Sequence, residues 1–149
     1  ALHGLETQNE WVEIFNGTST SLNLSGYTLR DNSSTTTIPD GVSLDPGEYL
    51  LITGTSTTAS FWDIPATTTV LVVEDGSIGG GLANAGDVIF FRKPDFTLVD
   101  SVSWGTNVSA FDPAVPSVAE GHSIARSDQT VDTDSASDWE DKETPNPGQ

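Results

Sequence analysis

Residues 87–104 read DVIFFRKPDFTLVDSVSW, and this stretch decides the fold class. Two runs rich in Val, Ile and Phe, residues 87–92 and 97–104, flank a turn signal at 93–95 that contains Pro and Asp. This pattern predicts an antiparallel β-hairpin. Short β-branched or aromatic runs bounded by Gly, Pro, Asn or Asp recur along the chain, whereas the helical spacing of apolar residues does not occur. We therefore predict an all-β protein.

Outward from this hairpin, residues 48–53 are the predicted central strand, because they are nearly all apolar and need cover on both faces. The polar run 33–37 is predicted to be a loop or a weak edge strand. Asn16-Gly17 is a strong signal for a hairpin turn. The remaining predicted strands lie at 10–15, 21–24, 27–30, 42–44, 68–73 and 121–126.

Alternation along residues 10–15 predicts which side chains enter the core. Val12 and Ile14 point inward, and Trp11, Glu13 and Phe15 lie on the opposite face of the strand. The other predicted core residues are Leu24, Tyr27, Leu29, Leu50, Ile52, Val88, Phe90, Val99 and Ile124.

The composition excludes two classes of partner. The chain has 149 residues, enough for one domain, with 22 acidic residues, 5 basic residues and a net charge of −17. Duplex DNA is gripped through roughly 6–10 phosphate contacts, more than this chain has basic residues. The same charge disfavours anionic membrane surfaces, and no apolar run approaches membrane-spanning length. We predict no nucleic-acid binding and no membrane insertion.

The chain also carries signals about its context. It has no cysteine, hence no disulfide, and no methionine, and its first residues lack the basic and apolar regions of a signal peptide. We interpret it as an excised domain or a processed form of a longer protein. The absence of Cys and the low Lys content fit an extracellular or cell-surface protein.

Four stretches, taken in chain order, resemble the lamin tail domain, the immunoglobulin-like module of lamins that also occurs in bacterial and archaeal proteins. They read EWVEIFN at 10–16, LSGYTL at 24–29 with LDPGEYL at 44–50, LANAGDV at 82–88 leading into VDSV at 99–102, and GHSIAR at 121–126 with TPNPG at 144–148. The resemblance covers roughly residues 8–148 and places the chain in the prokaryotic branch.

This resemblance implies an immunoglobulin-like antiparallel sandwich of two sheets. We expect one domain over residues 1–149, with ends at 1–8 and 140–149 that could be mobile. The chain departs from animal lamins in lacking a heptad rod and a basic surface. Filament assembly and chromatin binding are therefore not carried over.

No residue pattern indicates catalysis, so no catalytic or cofactor-binding residue is assigned. His3 and His122 are the two histidines, and Ser123 cannot pair with His122 because neighbours in a strand point to opposite faces. Gly79-Gly80-Gly81 precedes a strand rather than a helix and has no nearby Lys, so it is predicted to be a loop and not a phosphate cradle. We predict that the protein is not an enzyme.

Arg126 and the aromatic residues are the remaining candidates for binding. Arg126 is expected to pack its stem on the sheet and to bond carbonyls or a carboxylate, with a ligand role as the alternative. The aromatic residues are expected to cap the ends of the sandwich, with partner or sugar binding as the alternative. These aromatics are Trp11, Phe61, Trp62, Trp104, Phe111 and Trp139.

The acidic segment 132–143 partly resembles a calcium loop. Asp132, Asp134 and Glu143 fill its first, third and twelfth positions, whereas the fifth is Ala136 and the sixth, which needs glycine, is Ser137. We therefore predict no tight metal site, and at most weak Ca²⁺ binding by these three carboxylates.

Together these observations predict a non-catalytic accessory or interaction module of a larger exported or cell-surface protein. Its partner is expected to be a protein or a surface glycan. The alternative is a calcium-stabilised adhesion or carbohydrate-binding domain on the same fold.

Overall fold

The structure is a computed structural model, and it describes residues 9–149. The end predicted at residues 1–8 therefore lies outside the described residues. Residues 58–61 and 136–138 form single turns of 3₁₀ helix, and no helix within 9–149 is long and apolar enough to cross a membrane. The strands are β1 (Trp11–Phe15), β2 (Leu22–Asn23), β3 (Thr28–Arg30), β4 (Thr35–Thr37), β5 (Ser43–Leu44), β6 (Tyr49–Thr53), β7 (Thr69–Val72), β8 (Val88–Arg92), β9 (Leu98–Ser103), β10 (Ser123–Arg126) and β11 (Trp139–Lys142).

Two larger sheets make up the body of the protein. One is four-stranded and antiparallel, in the order β4-β3-β8-β9, and the other is three-stranded, in the order β1-β6-β7. Two short pairs, β2-β5 and β10-β11, complete the architecture. The predicted all-β fold, the β8-β9 hairpin and the weak edge strand β4 are confirmed. One pair, β6 with β7, is parallel, because residues 54–68 cross over between them.

The core lies between the two larger sheets. Leu50 and Ile52 of β6 enter it and meet Leu29 of β3 and Ile89 and Phe91 of β8. Leu51, on the other face of β6, is also fully buried. The prediction that 48–53 is a central strand covered on both faces is therefore confirmed.

Three of the predicted core residues, Phe90, Val99 and Ile124, lie outside the core, and Ile124 is half-buried in β10. Ile89 and Phe91, not Phe90, face the core, and the Phe90 ring lies 4.8 Å from the Arg92 guanidinium on the opposite face. Val99 is 43% exposed, because the pairing of β8 with β9 shifts register beside Phe91 and leaves Val99 outside the ladder. Four successive apolar residues give no alternation, so the sequence of β8 does not reveal which pair is inward.

The predicted hairpin turn at Asn16 is also wrong, because β1 pairs with β6 rather than with the next strand. Asn16 is buried, and its side-chain Nδ2 donates to the carbonyls of Thr20, at 2.9 Å, and Leu44, at 2.8 Å. These bonds tie the end of β1 to the loop that follows it and to β5. Asn16 Oδ1 also accepts the Thr18 N–H at 3.0 Å, so this buried amide makes a local side-chain turn but not a hairpin.

Residues 140–149 make contacts with the rest of the protein, and the expectation that this end could be mobile stays a prediction. Part of this end forms β11, which pairs with β10, so β10 is not the last strand. Further on, the Gly148 N–H donates to the carboxylate of Glu13, and Gln149 Nε2 donates to the Asp63 carbonyl at 2.9 Å. Pro147 and Gly148 are buried. Residues 144–149, which we call the C-terminal strap, therefore pack onto the outer face of the β1-β6-β7 sheet.

Candidate functional site

A groove of about 1260 Å³ runs along the edge of β1. We call it the β1 groove. It is lined by β1, by Ile89, Phe91 and Val102 of the four-stranded sheet, and by the β10-β11 pair. The groove exists because β1 has only one neighbouring strand, β6, among residues 9–149.

Backbone geometry determines which groups of β1 point into the groove. The Asn16 N–H donates to the Glu48 carbonyl, and the Gly54 N–H donates to the Glu10 carbonyl. Hydrogen-bonded pairs alternate along an antiparallel ladder, so the even-numbered residues of β1 are the ones that exchange hydrogen bonds with β6. The backbone groups of Trp11, Glu13 and Phe15 consequently point away from β6. They have no strand partner within the described part of the chain.

Arg126 of β10 organises the opposite wall of the groove. Its Nη2 donates to Asp100 Oδ1 at 2.7 Å, and its Nη1 donates to the Val131 carbonyl at 3.1 Å and lies 3.3 Å from Asp132 Oδ1. The guanidinium also stacks 4.6 Å from the centre of the Trp139 ring. Although burial alone would lower it, these carboxylates raise the pKa of Arg126 above its ordinary value. The predicted bonds of Arg126 to a carbonyl and a carboxylate are confirmed.

His122 and Trp104, which both line the groove, have hydrogen-bond partners within the protein. His122 Nδ1 lies 2.8 Å from Asp141 Oδ1, which joins the start of β10 to β11. Beside it, a small cavity is lined by residues that include Asn84, Trp104 and His122. Trp104 Nε1 donates to the Ala83 carbonyl at 2.9 Å, which fixes the indole at the rim of this cavity.

The glycine run 79–81 is packed against a carboxylate. Asp31 is buried and accepts the N–H groups of Ser33, Ser34 and Gly80 at 2.6–2.7 Å. Burial alone would raise the pKa of Asp31, but these hydrogen bonds lower it below its ordinary value. The Gly79 N–H donates to Thr36 Oγ1 at 2.8 Å and the Gly81 N–H to the Ile78 carbonyl at 2.9 Å, so all three N–H groups of the run are used within the protein.

The three candidate calcium ligands are not gathered into one site. Asp132 lies against Arg126, and Asp134, which has a φ of 54°, donates its N–H to Asp132 Oδ1 at 3.2 Å. Across residues 9–149, no group of three or more His, Cys, Asp or Glu side chains could hold a metal ion. Weak Ca²⁺ binding by Asp132, Asp134 and Glu143 stays a prediction.

The aromatic candidates divide between packing and the groove. Trp11 and Trp62 make an edge-to-face pair with centroids 6.1 Å apart, and Trp139 lies beside Arg126. These three and Trp104 line the β1 groove, whereas Phe61 and Phe111 do not. Sequence reasoning identified the aromatic residues but missed the groove, because the groove depends on which strand edge is left unpaired.

One comparison with known proteins identifies a family. A family model described as Lamin Tail Domain matches residues 3–106. The stretches at 10–16, 24–29, 44–50, 82–88 and 99–102 lie within the match, and those at 121–126 and 144–148 lie beyond it. A search of curated proteins gives no match.

Proposed function

This chain belongs to the lamin tail domain family, and on that premise we propose that it is an accessory interaction module of a larger exported or cell-surface protein. Lamin tail domains are immunoglobulin-like interaction domains with a non-enzymatic fold. We further propose that this member comes from the prokaryotic branch and that its partner is a protein or a surface glycan.

The observation that carries the proposal is the β1 groove. It combines a strand edge that has no partner strand among residues 9–149, inward apolar side chains and four tryptophans. Tryptophan is enriched among the residues that dominate binding energy at interfaces. Two polar groups, His122 and Asp31, are hydrogen-bonded within the fold: His122 to Asp141, and Asp31 to backbone N–H groups.

Site-specific photo-crosslinking tests the interaction role. A photo-reactive phenylalanine analogue replaces Trp11 in the groove or, as control, Phe96, which is 78% exposed in the turn between β8 and β9. We expect a discrete cross-linked product from position 11 on intact source cells and none from position 96. Equal labelling at both positions, or none at either, would contradict an interaction site at the groove.

Protease treatment of intact cells tests the proposed location. We expect peptides of this chain to be released before the cells are lysed. Release only after lysis would show that the module is not on the cell surface or exported.

A further inference from the structure

We propose that the β1 groove accepts one extended β-strand of a partner protein, apolar on one face and basic on the other. This proposal rests on the proposed interaction role and specifies the class of partner. Strand addition to an exposed sheet edge is a general mode of peptide recognition, in which main-chain hydrogen bonds give affinity and alternate side chains give specificity.

The backbone of β1 supplies the docking edge. The N–H and C=O groups of Trp11, Glu13 and Phe15 point into the groove at alternate positions, as an incoming strand requires. The five residues of β1 span about 17 Å at 3.4 Å per residue, which is the length of an average strand. On the far side of the groove, β10 has β11 as its one neighbour among the described strands. A bound strand would therefore lie between two edges.

The lining of the groove favours a bound strand in which apolar and polar side chains alternate. Val12 and Ile14 of β1 and Val102 of β9 are half-buried and pack against the core. Ile89 and Phe91 lie deeper in the same groove. An incoming strand would bury apolar side chains at every second position against these residues, and its other face would point away from the core.

The charge of the groove selects a basic occupant. Six carboxylate side chains line it, against the two basic residues Arg126 and Lys142, and Arg126 already faces two of those carboxylates. The lining carboxylates are Glu10, Glu13, Asp100, Glu120, Asp132 and Glu143. The net charge of the whole chain, −17, adds long-range attraction for a basic partner.

The probe is the synthetic peptide acetyl-KVKVKVK-amide, which in a strand places Val on one face and Lys on the other; it is titrated into the ¹⁵N-labelled 149-residue chain and followed by NMR. We expect saturable shifts of the amides of Trp11, Glu13 and Phe15, and slower hydrogen exchange of these amides in the complex. The matched peptide acetyl-EVEVEVE-amide should bind at least about 10-fold more weakly, because its acidic face is repelled by the acidic groove.

Two matched variants distinguish the effect of charge in the groove on peptide binding from the effect of the net charge of the chain. Glu143→Lys and Glu74→Lys change the net charge equally, and both residues are exposed, but only Glu143 lines the groove. We expect Glu143→Lys to weaken peptide binding by about threefold or more and Glu74→Lys to change it much less. Thermal melts check that both variants fold.

Three results would overturn the proposal. The first is protection of the Trp11, Glu13 and Phe15 amides from hydrogen exchange in the free chain, which would mean that the edge is already paired. The second is a set of peptide-induced shifts at the edge of β7 instead of β1. The third is the absence of any saturable shift at millimolar peptide. If cross-linking from position 11 succeeds while the peptide fails, the interaction role stands and strand addition is wrong.

Discussion

Arg126 shows at the scale of one residue how this acidic protein uses its few cations. Its guanidinium bonds Asp100 of β9 and the Val131 carbonyl and stacks on Trp139, so one side chain ties three parts of the chain together. A planar fork with five donors suits this arrangement better than a lysine ammonium would. The role of Arg126 is therefore structural, and its loss should be felt in stability.

We expect Arg126→Ala to lower the free energy of unfolding by about 1–3 kcal/mol, because packing is lost and the partners of the guanidinium are left without a cation. Urea denaturation measures this change. Arg30→Ala is the matched control, because Arg30 is exposed and its side chain bonds Thr35 within the same sheet; its effect should stay within about 0.5 kcal/mol. A loss of partner binding with unchanged stability would assign Arg126 to a binding site instead.

Glu13 and Asp31 should give opposite pH dependences. Burial raises the pKa of Glu13, only partly offset by the Gly148 N–H, so the folded state binds more protons than the unfolded state just above the ordinary pKa of 4.5. Its contribution to stability therefore falls as the pH rises through that window. The lowered pKa of Asp31 gives a contribution that is present above its ordinary pKa of 3.8 and is lost as the pH falls.

Urea denaturation between pH 3 and pH 7 tests this difference in sign. In the parent chain, the contribution of Glu13 to the free energy of unfolding should fall as the pH rises to neutral, and Glu13→Gln should remove this fall. The contribution of Asp31 should fall as the pH is lowered into the acid range, and Asp31→Asn should remove that fall. Asp31→Asn should also cost about 1–3 kcal/mol at pH 7, because an amide cannot accept all the N–H groups that the carboxylate accepts. Parallel pH profiles for the two variants would contradict the assignment.

At the scale of elements, the C-terminal strap holds the outer face of the β1-β6-β7 sheet. Gly148 bonds Glu13, whose partner across the ladder is the buried Leu51. Gly148 has a φ of 85°, and a Cβ there would clash with Thr68 Oγ1. The strap thus depends on a glycine for both backbone conformation and close approach.

Gly148→Ala and Gly47→Ala separate these two requirements. Gly47 has a similar φ of 78°, but a Cβ there would meet nothing within 4 Å. We expect about 1 kcal/mol of destabilisation for Gly47→Ala from backbone conformation alone, and a larger loss for Gly148→Ala. Thermal melts and protease sensitivity near residue 144 report the difference. Equal effects would show that the strap is not tightly seated.

The acidic loop between β10 and β11 is expected to bind Ca²⁺ weakly at most. Asp132 already faces Arg126, and the carboxylates of the loop are partly used in its own turns. We expect no micromolar Ca²⁺ site by calorimetry and, at most, dissociation constants of about 10⁻⁴–10⁻³ M. Tight binding that Asp134→Ala abolishes would instead show that the loop rearranges around the ion.

At the scale of the whole molecule, a net charge of −17 over 149 residues makes self-repulsion a general cost of folding. Salt screens this repulsion, with a Debye length of about 10 Å at 0.1 M and about 3 Å at 1 M. We expect the melting temperature to rise between 0.05 and 1 M NaCl. A fall over this range would mean that specific ion pairs, such as those of Arg126, outweigh the overall repulsion.

The sequence by itself determined the all-β class, the β8-β9 hairpin and the central strand β6. These features depend on residues that are close in the chain: a turn signal between two apolar runs, or one continuous apolar run at 48–53. The structural role of Arg126 was also predictable, because a guanidinium beside small apolar residues needs acceptors. Local composition carries this information, since it needs no knowledge of the neighbouring strands.

Only the tertiary structure decided which strand edges pair and which side chains face inward. The inward choice of Ile89 and Phe91 over Phe90 depends on register against β3 and β9, and Asn16 is buried because β1 pairs with β6 rather than with the next strand. The β1 groove and the strap over Glu13 arise from contacts between residues far apart in the chain. Such pairings are set by the packing of the whole molecule, because a strand has two edges and its sequence does not say which one will be covered.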